Sequence, residues 1–143
     1  MHAATTFDPL GQIQAATAAL HRYEAALNHA DVDTIVALYT PDAVFMAQHR
    51  QPAIGHDPIR AAYTAIFAQI RLHIAFEIDE VVVVTPTVAY ARTRSAGTTT
   101  ILANGGEVSE ANQELFVLVR ADERSDWKIG RYIFATTQAP AAS

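Results

Sequence analysis

The hydrophobic pattern changes period halfway along the chain, and that change decides what the chain can fold into. Up to about residue 70 the apolar side chains recur at helical spacing, and beyond it they alternate. Ile13, Ala16, Leu20, Tyr23 and Leu27 make one stripe. Val32, Ile35, Val36 and Tyr39 make a second, and Ile59, Ala62, Tyr63, Ile66, Phe67 and Ile70 a third. Asp8-Pro9 and Asp57-Pro58 read as helix starts, because Asp accepts from unpaired backbone donors and Pro has no N–H to leave unpaired there. Asp31 can cap the middle helix, and Thr40-Pro41-Asp42 is expected to stop it. A brief strand from Val44 to Ala47 and a loop or hairpin over 48–54 follow.

In the second half Leu72, Ile74, Phe76 and Ile78 alternate with His73, Ala75, Glu77 and Asp79, the mark of a strand with one covered face. Asn104-Gly105-Gly106 is a hairpin signal between two long strands. The expected elements are helices over 9–30, 32–39 and 58–70 and strands over 72–84, 87–102, 107–120 and 127–137, in one domain spanning 1–143. Helices first and antiparallel strands after them specify an α+β layer architecture. Four long strands twist strongly, and a coiled sheet can wrap the helices and leave a cavity at its wide end.

Composition narrows the function. Net charge is −5 over 143 residues with the two signs interspersed, so a phosphate-binding basic stripe for nucleic acid or anionic lipid is not expected. The chain has no cysteine, which excludes disulfides and thiolate chemistry. No stretch reads as a membrane span, and a cytoplasmic protein is expected. His21 and His29 are eight apart rather than four, and no histidine spacing fits a zinc motif, so no metal is expected. No serine lies in a G-x-S-x-G elbow and no Gly-rich loop opens a helix, so neither serine hydrolase nor nucleotide chemistry is indicated, and no cofactor is expected.

Two segments carry a resemblance: "YTPDAVFMAQHRQPAIGHDPIRAAYTAI" and "ANQELFVLVRADERSDWKIGRYIF". With the element order, they resemble the nuclear transport factor 2-like superfamily, which includes ketosteroid isomerase and the SnoaL-like polyketide cyclases. Within it the chain looks most like small stand-alone proteins of the SgcJ type. The resemblance implies a cone-shaped domain in which a curved antiparallel sheet wraps three N-terminal helices around a pocket. It also implies a homodimer through the convex sheet face. Tyr23 matches the isomerase's oxyanion tyrosine. The isomerase's base is an Asp, and Ala47 stands in its place here, so steroid isomerisation by that mechanism is not expected.

The candidate polar set therefore lies elsewhere. Alternation puts Glu110, Asn112, Glu114, Phe116 and Leu118 on one face of a strand, and Asn112 and Glu114 are assigned to the pocket. The bland alternative is a solvated strand end. Arg92 and Arg94 meet Glu110 and Glu114 if the hairpin loop has three residues, whereas a two-residue turn flips the parity and separates them. In the first case an Arg between carboxylates can bind a substrate oxygen, and in the second the arginines make structural ion pairs. His49 and His56 flank "RQPAIG" near the expected pocket mouth, where an imidazole can act as a base or simply sit on the surface. Tyr63 and Phe116 complete the expected ligand contacts. The reading is a cofactor-independent isomerase, lyase or hydrolase acting on a hydrophobic, oxygenated, polyketide- or steroid-like molecule, with Glu114 or His49 as acid–base group and Tyr23 or Asn112 as donor. The alternative is a non-catalytic ligand-binding or dimerisation module of the same fold.

Overall fold

A computed structural model describes residues 9–139. Three helices, α1 (Pro9–Asn28), α2 (Val32–Ala37) and α3 (His56–Phe67), accompany six strands. These are β1 (Tyr39–Met46), β2 (Ala53–Ile54), β3 (Ile70–Thr85), β4 (Val88–Ile101), β5 (Glu107–Val119) and β6 (Lys128–Thr136). They form one sheet in the order β2-β1-β6-β5-β4-β3, antiparallel except where β1 runs parallel to β6. The α+β architecture, with helices packed on one face of a curved and unclosed sheet, is as the change of period predicts.

Each helix buries most of the stripe its spacing indicates, but α2 and α3 end earlier than expected, so Tyr39 belongs to β1 and Ile70 to β3. Ala16, Leu20, Tyr23 and Leu27 of α1, Ile35 and Val36 of α2, and Ile59, Tyr63 and Phe67 of α3 are buried. Opposite them the sheet offers Ala89, Ala91, Phe116, Leu118, Ile129 and Tyr132. The small residues of β4 let the helices approach, and the aromatic ones of β5 and β6 fill the space. Phe116 and Tyr132 stack with ring centroids 4.2 Å apart. Each such buried ring contributes about 1.5–3 kcal/mol relative to leaving it in water.

Local chemistry moves several boundaries. Asp31 caps α2 as expected, accepting from the backbone N–H of Thr34 at 3.1 Å. Asp8, expected to cap α1, lies outside the described residues. Thr40-Pro41-Asp42 does not follow a helix directly but belongs to β1, at a register break between Tyr39 and Val44 where a residue without an N–H is tolerated. Helix α3 begins at His56, two residues before Pro58, with Gly55 at φ 87° leading in. Pro58 then sits in the first turn, where backbone N–H groups have no intrahelical partner.

Two features shape the packing of β3, one against β4 and one at its edge. A Cβ on Gly97 would lie 2.0 Å from the carbonyl oxygen of His73, so only glycine allows β3 and β4 to approach there. The free edge of β3 is covered by side chains of α1. Asn28 both donates to the Ile74 carbonyl (2.8 Å) and accepts from its N–H (2.9 Å), and Glu24 accepts from the N–H of Phe76 at 2.5 Å. Helix α1 thus pairs with part of an edge that would otherwise be open to another strand.

Candidate active site

Between the helices and the concave face of the sheet lies a cavity of about 190 Å³. Leu27, Phe45, Ile66, Phe67, Leu72, Ile74, Phe76 and Phe134 give it apolar walls. Two polar groups of different character interrupt them.

The first is a cluster of phenols. Tyr63 on α3 is hydrogen-bonded through its hydroxyl to Tyr23 on α1 and, at 2.6 Å, to Tyr39 at the start of β1. Tyr132 on β6 packs edge-on against Tyr23. Burial pushes the pKa of all four well above the usual tyrosine range, so they remain neutral hydroxyls able to donate.

The second is a carboxylate ladder on β4 and β5. The buried Glu114 carboxylate accepts from Thr93 Oγ1 at 2.6 Å and from Ser95 Oγ at 2.5 Å. Asn112, one pleat along, donates from Nδ2 to Glu110 Oε1 at 3.0 Å and to Ser95 Oγ at 3.4 Å. Glu110 also accepts from Thr99 Oγ1 at 3.1 Å. No cation neutralises Glu114 among these contacts. Burial raises its pKa, and the hydrogen bonds from Ser95 and Thr93 oppose that rise only in part. Charge on Glu114 in turn disfavours ionisation of Tyr23 and Tyr132, so the two groups act across one cavity. The arrangement sets a carboxyl poised to give or take a proton against neutral donors for a substrate oxygen.

The SnoaL-like domain family matches residues 20–124 of the chain. The chain belongs to this family. Among solved structures it is similar to a ketosteroid isomerase-like protein from Erwinia carotovora atroseptica, at 32% identity and a TM-score of 0.84, covering 90% of this chain and 98% of that one. A nuclear transport factor 2-like superfamily protein from Salmonella enterica serovar Typhimurium is similar at 17% identity and TM-score 0.77, over 92% and 96% of the two chains. A candidate scytalone dehydratase from Novosphingobium aromaticivorans is similar at 18% identity and TM-score 0.77, over 90% and 86%. These two share the fold. No curated protein sequence matches. Among the described residues no helix is long and apolar enough to cross a membrane.

Of the residues singled out in this SnoaL-like sequence, Glu114, Asn112, Tyr23 and Tyr63 line the cavity together. Phe116 is fully buried beneath Tyr132 rather than facing the cavity. Arg92 and Arg94 stand elsewhere. The last partners of the hairpin are Thr100 and Glu107, with an even number of residues between them, so Thr93 pairs with Glu114 while Arg92 and Arg94 face Leu115 and Gln113 on the outer side. There Arg94 holds Asp79 at 2.8 Å and Glu77 at 3.0 Å, and Arg92 reaches Glu80 at 3.2 Å. The Arg–Glu meeting that a three-residue loop would have produced does not form. His49 is an exposed turn residue at φ 62° outside the cavity lining, although its neighbours Gln48 and Arg50 do line it. His56 donates from Nε2 to the carbonyl oxygen of Tyr39 at 2.8 Å and lies on a separate surface groove with Arg120 and Arg124.

Thr93, Ser95, Tyr39 and Tyr132 were not singled out, yet they shape the site. For Thr93 and Ser95 the signal was present. They alternate with Arg92 and Arg94, so any loop length that turns the arginines outward turns these hydroxyls to the inner face, where Ser95 lines the cavity. Tyr39 and Tyr132 gave no signal beyond an apolar position, because a core tyrosine and a cavity tyrosine have the same pattern.

Proposed function

We propose that the cavity binds a small, largely apolar, oxygenated molecule and that Glu114 is the acid–base group of a cofactor-independent isomerisation, elimination or hydrolysis. The observation that carries this is a buried carboxyl hydrogen-bonded by two neutral hydroxyls, with no cation among its partners, on the wall of a largely apolar cavity. Such a carboxyl holds its proton to higher pH than a salt-bridged one does. The phenol cluster at Tyr23 and Tyr63 supplies donors for an oxygen on which charge develops, and Asn112 lies beside Glu114. An apolar cavity of roughly 150 Å³ takes up benzene. The about 190 Å³ here therefore suits one or two rings. A polyketide- or steroid-like molecule fits only by extending through the mouth. The scytalone dehydratase named among the similar structures lends the elimination class some support. The chain acts in this reading as one cytoplasmic domain over residues 1–143. Glu114→Gln removes the titratable proton while its amide oxygen still accepts from one hydroxyl and its NH2 faces the other, and turnover of an identified substrate is expected to fall by about 10²-fold or more. Unchanged turnover in this variant excludes Glu114 as the acid–base group.

One observation favours the second reading, a binding module without catalysis: Ala47 lines the cavity where the isomerase resemblance places its base. Turnover that follows the purified protein and disappears with Glu114→Gln decides against that reading. We further propose a homodimer through the outer sheet face, supported by Tyr90, Leu115 and Ile133, which leave 36%, 44% and 47% of their surface exposed on one side of β4–β6.

A further inference from the structure

The polar wall of the cavity has a definite hydrogen-bond polarity, and a residue other than the proposed acid–base group sets it. Ser95 and Thr93 spend their protons on Glu114, and Thr99 spends its proton on Glu110. Asn112 has two amide protons, and both are spent, one toward Glu110 Oε1 and one toward Ser95 Oγ. Its side-chain oxygen has no hydrogen-bond partner among the described residues, and Asn112 lines the cavity. The amide could in principle be turned the other way, exchanging its oxygen and nitrogen. Glu110 prevents this. Its Oε1 is the acceptor beside Asn112, and the neighbouring Ser95 has already given its proton to Glu114, so the nitrogen must face both and the oxygen must face away. Glu110 already accepts from Thr99, which holds the carboxylate in place.

We propose that Glu110 is a positioning residue that locks Asn112 with its carbonyl oxygen toward the ligand, and that the ligand is a cyclic alcohol or phenol whose O–H is donated to that oxygen. This rests on the reading of the cavity as a ligand site and names the ligand class. At Glu114 the wall can give or take a proton, but at Asn112 it only accepts. A ligand offering a bare carbonyl there leaves the Asn112 oxygen unpaired and adds a second acceptor against it. A hydroxyl one or two bonds from the reacting centre satisfies it. The carbonyl or leaving oxygen is then directed to the tyrosine side of the cavity, where the donors are.

A matched pair of probes isolates this feature. 1-Indanol and 1-indanone have the same bicyclic skeleton and differ in whether the oxygen carries a proton. Titration calorimetry on the wild-type chain is expected to show 1-indanol binding about ten-fold more tightly, the value of one good hydrogen bond against an unpaired buried acceptor. Asn112→Leu removes the acceptor and is expected to bring the ratio close to one. Glu110→Met removes the lock, lets the amide turn to suit either probe, and is expected to reduce the ratio by several-fold while leaving the affinity for 1-indanone equal or higher. A role of Glu110 in folding alone would lower both affinities together and leave the ratio unchanged. Equal binding of the two probes to the wild type, or a ratio untouched by both substitutions, overturns the inference and leaves the acid–base role of Glu114 standing. Binding of neither probe at millimolar concentration overturns the ligand-site reading of the cavity and this inference with it.

Discussion

The two faces of the β4–β5 ribbon hold carboxylates in opposite ways, although their residues alternate along the same strands. On the inner face Glu114 is met by the hydroxyls of Thr93 and Ser95. On the outer face the Asp79 carboxylate of neighbouring β3 is met by the guanidinium of Arg94, with Arg92 beside it. Both carboxylates are fully hydrogen-bonded, so satisfaction does not distinguish them. Charge does. Hydrogen bonds to Arg94, more than its charge, hold the Asp79 carboxyl below its usual range, while burial among neutral partners lifts Glu114 above its own. One sheet thus favours the charged form of a carboxyl on the outside and the neutral form on the inside, by changing what sits opposite rather than the carboxylate itself.

The largest test of that contrast is mechanical. Phe116→Ala, at a fully buried position stacked on Tyr132, is expected to cost about 3–5 kcal/mol in urea unfolding. Leu115→Ala, one residue along and facing out, is expected to cost under about 1 kcal/mol in the monomer. A cost at Leu115 that grows with protein concentration would show that the outer face is covered by a second copy.

Next in size are the polar partners. Ser95→Ala leaves one oxygen of a buried carboxyl without its donor and is expected to cost about 1–3 kcal/mol. Arg94→Gln breaks an exposed pair and is expected to cost no more than about 1 kcal/mol. Comparable losses at the two sites would remove the distinction drawn between the faces.

The smallest expected effect is the most diagnostic in sign. Glu114 has a raised folded-state pKa, so the stabilisation from its protonation is complete below the unfolded value and is lost as pH rises through the folded one. Asp79 has a lowered pKa, so its contribution is present above the unfolded value and is lost as pH falls through the folded one. Denaturation of Glu114→Gln and Asp79→Asn beside the wild type, from pH 7 down to about pH 3, should therefore give differences that change with pH in opposite directions. Parallel pH dependences would contradict the assignment.

The contrast between faces also shows how far the site was legible in the residues. Alternation along β5 placed Asn112 and Glu114 on one face, because side-chain parity within a strand needs no knowledge of its neighbours, while which face meets the helices was left open. The facing of Arg92 and Arg94 depended on the length of the loop after Ile101. Asn104-Gly105-Gly106 marks that turn without counting it. The same limit hid Thr93 and Ser95, whose role depends on pairing across the hairpin. Tyr39 was readable as buried but not as a member of a phenol cluster, since its partner Tyr63 lies 24 residues away on α3. His49 looked apt by chemistry and was misplaced by backbone geometry, as its turn points it outward while Gln48 and Arg50 face in.

The central claim, that Glu114 is an uncompensated buried carboxyl ready to exchange a proton, is tested most directly by following the side-chain carboxyl carbons of Glu114 and Asp79 by NMR as pH is varied. The expected result is a Glu114 midpoint clearly above the ordinary glutamate value of about 4.3 and an Asp79 midpoint below the ordinary aspartate value of about 3.9. A Glu114 midpoint at or below its ordinary value would mean that the carboxylate is stabilised as an ion, and the cavity would then lose its acid–base group.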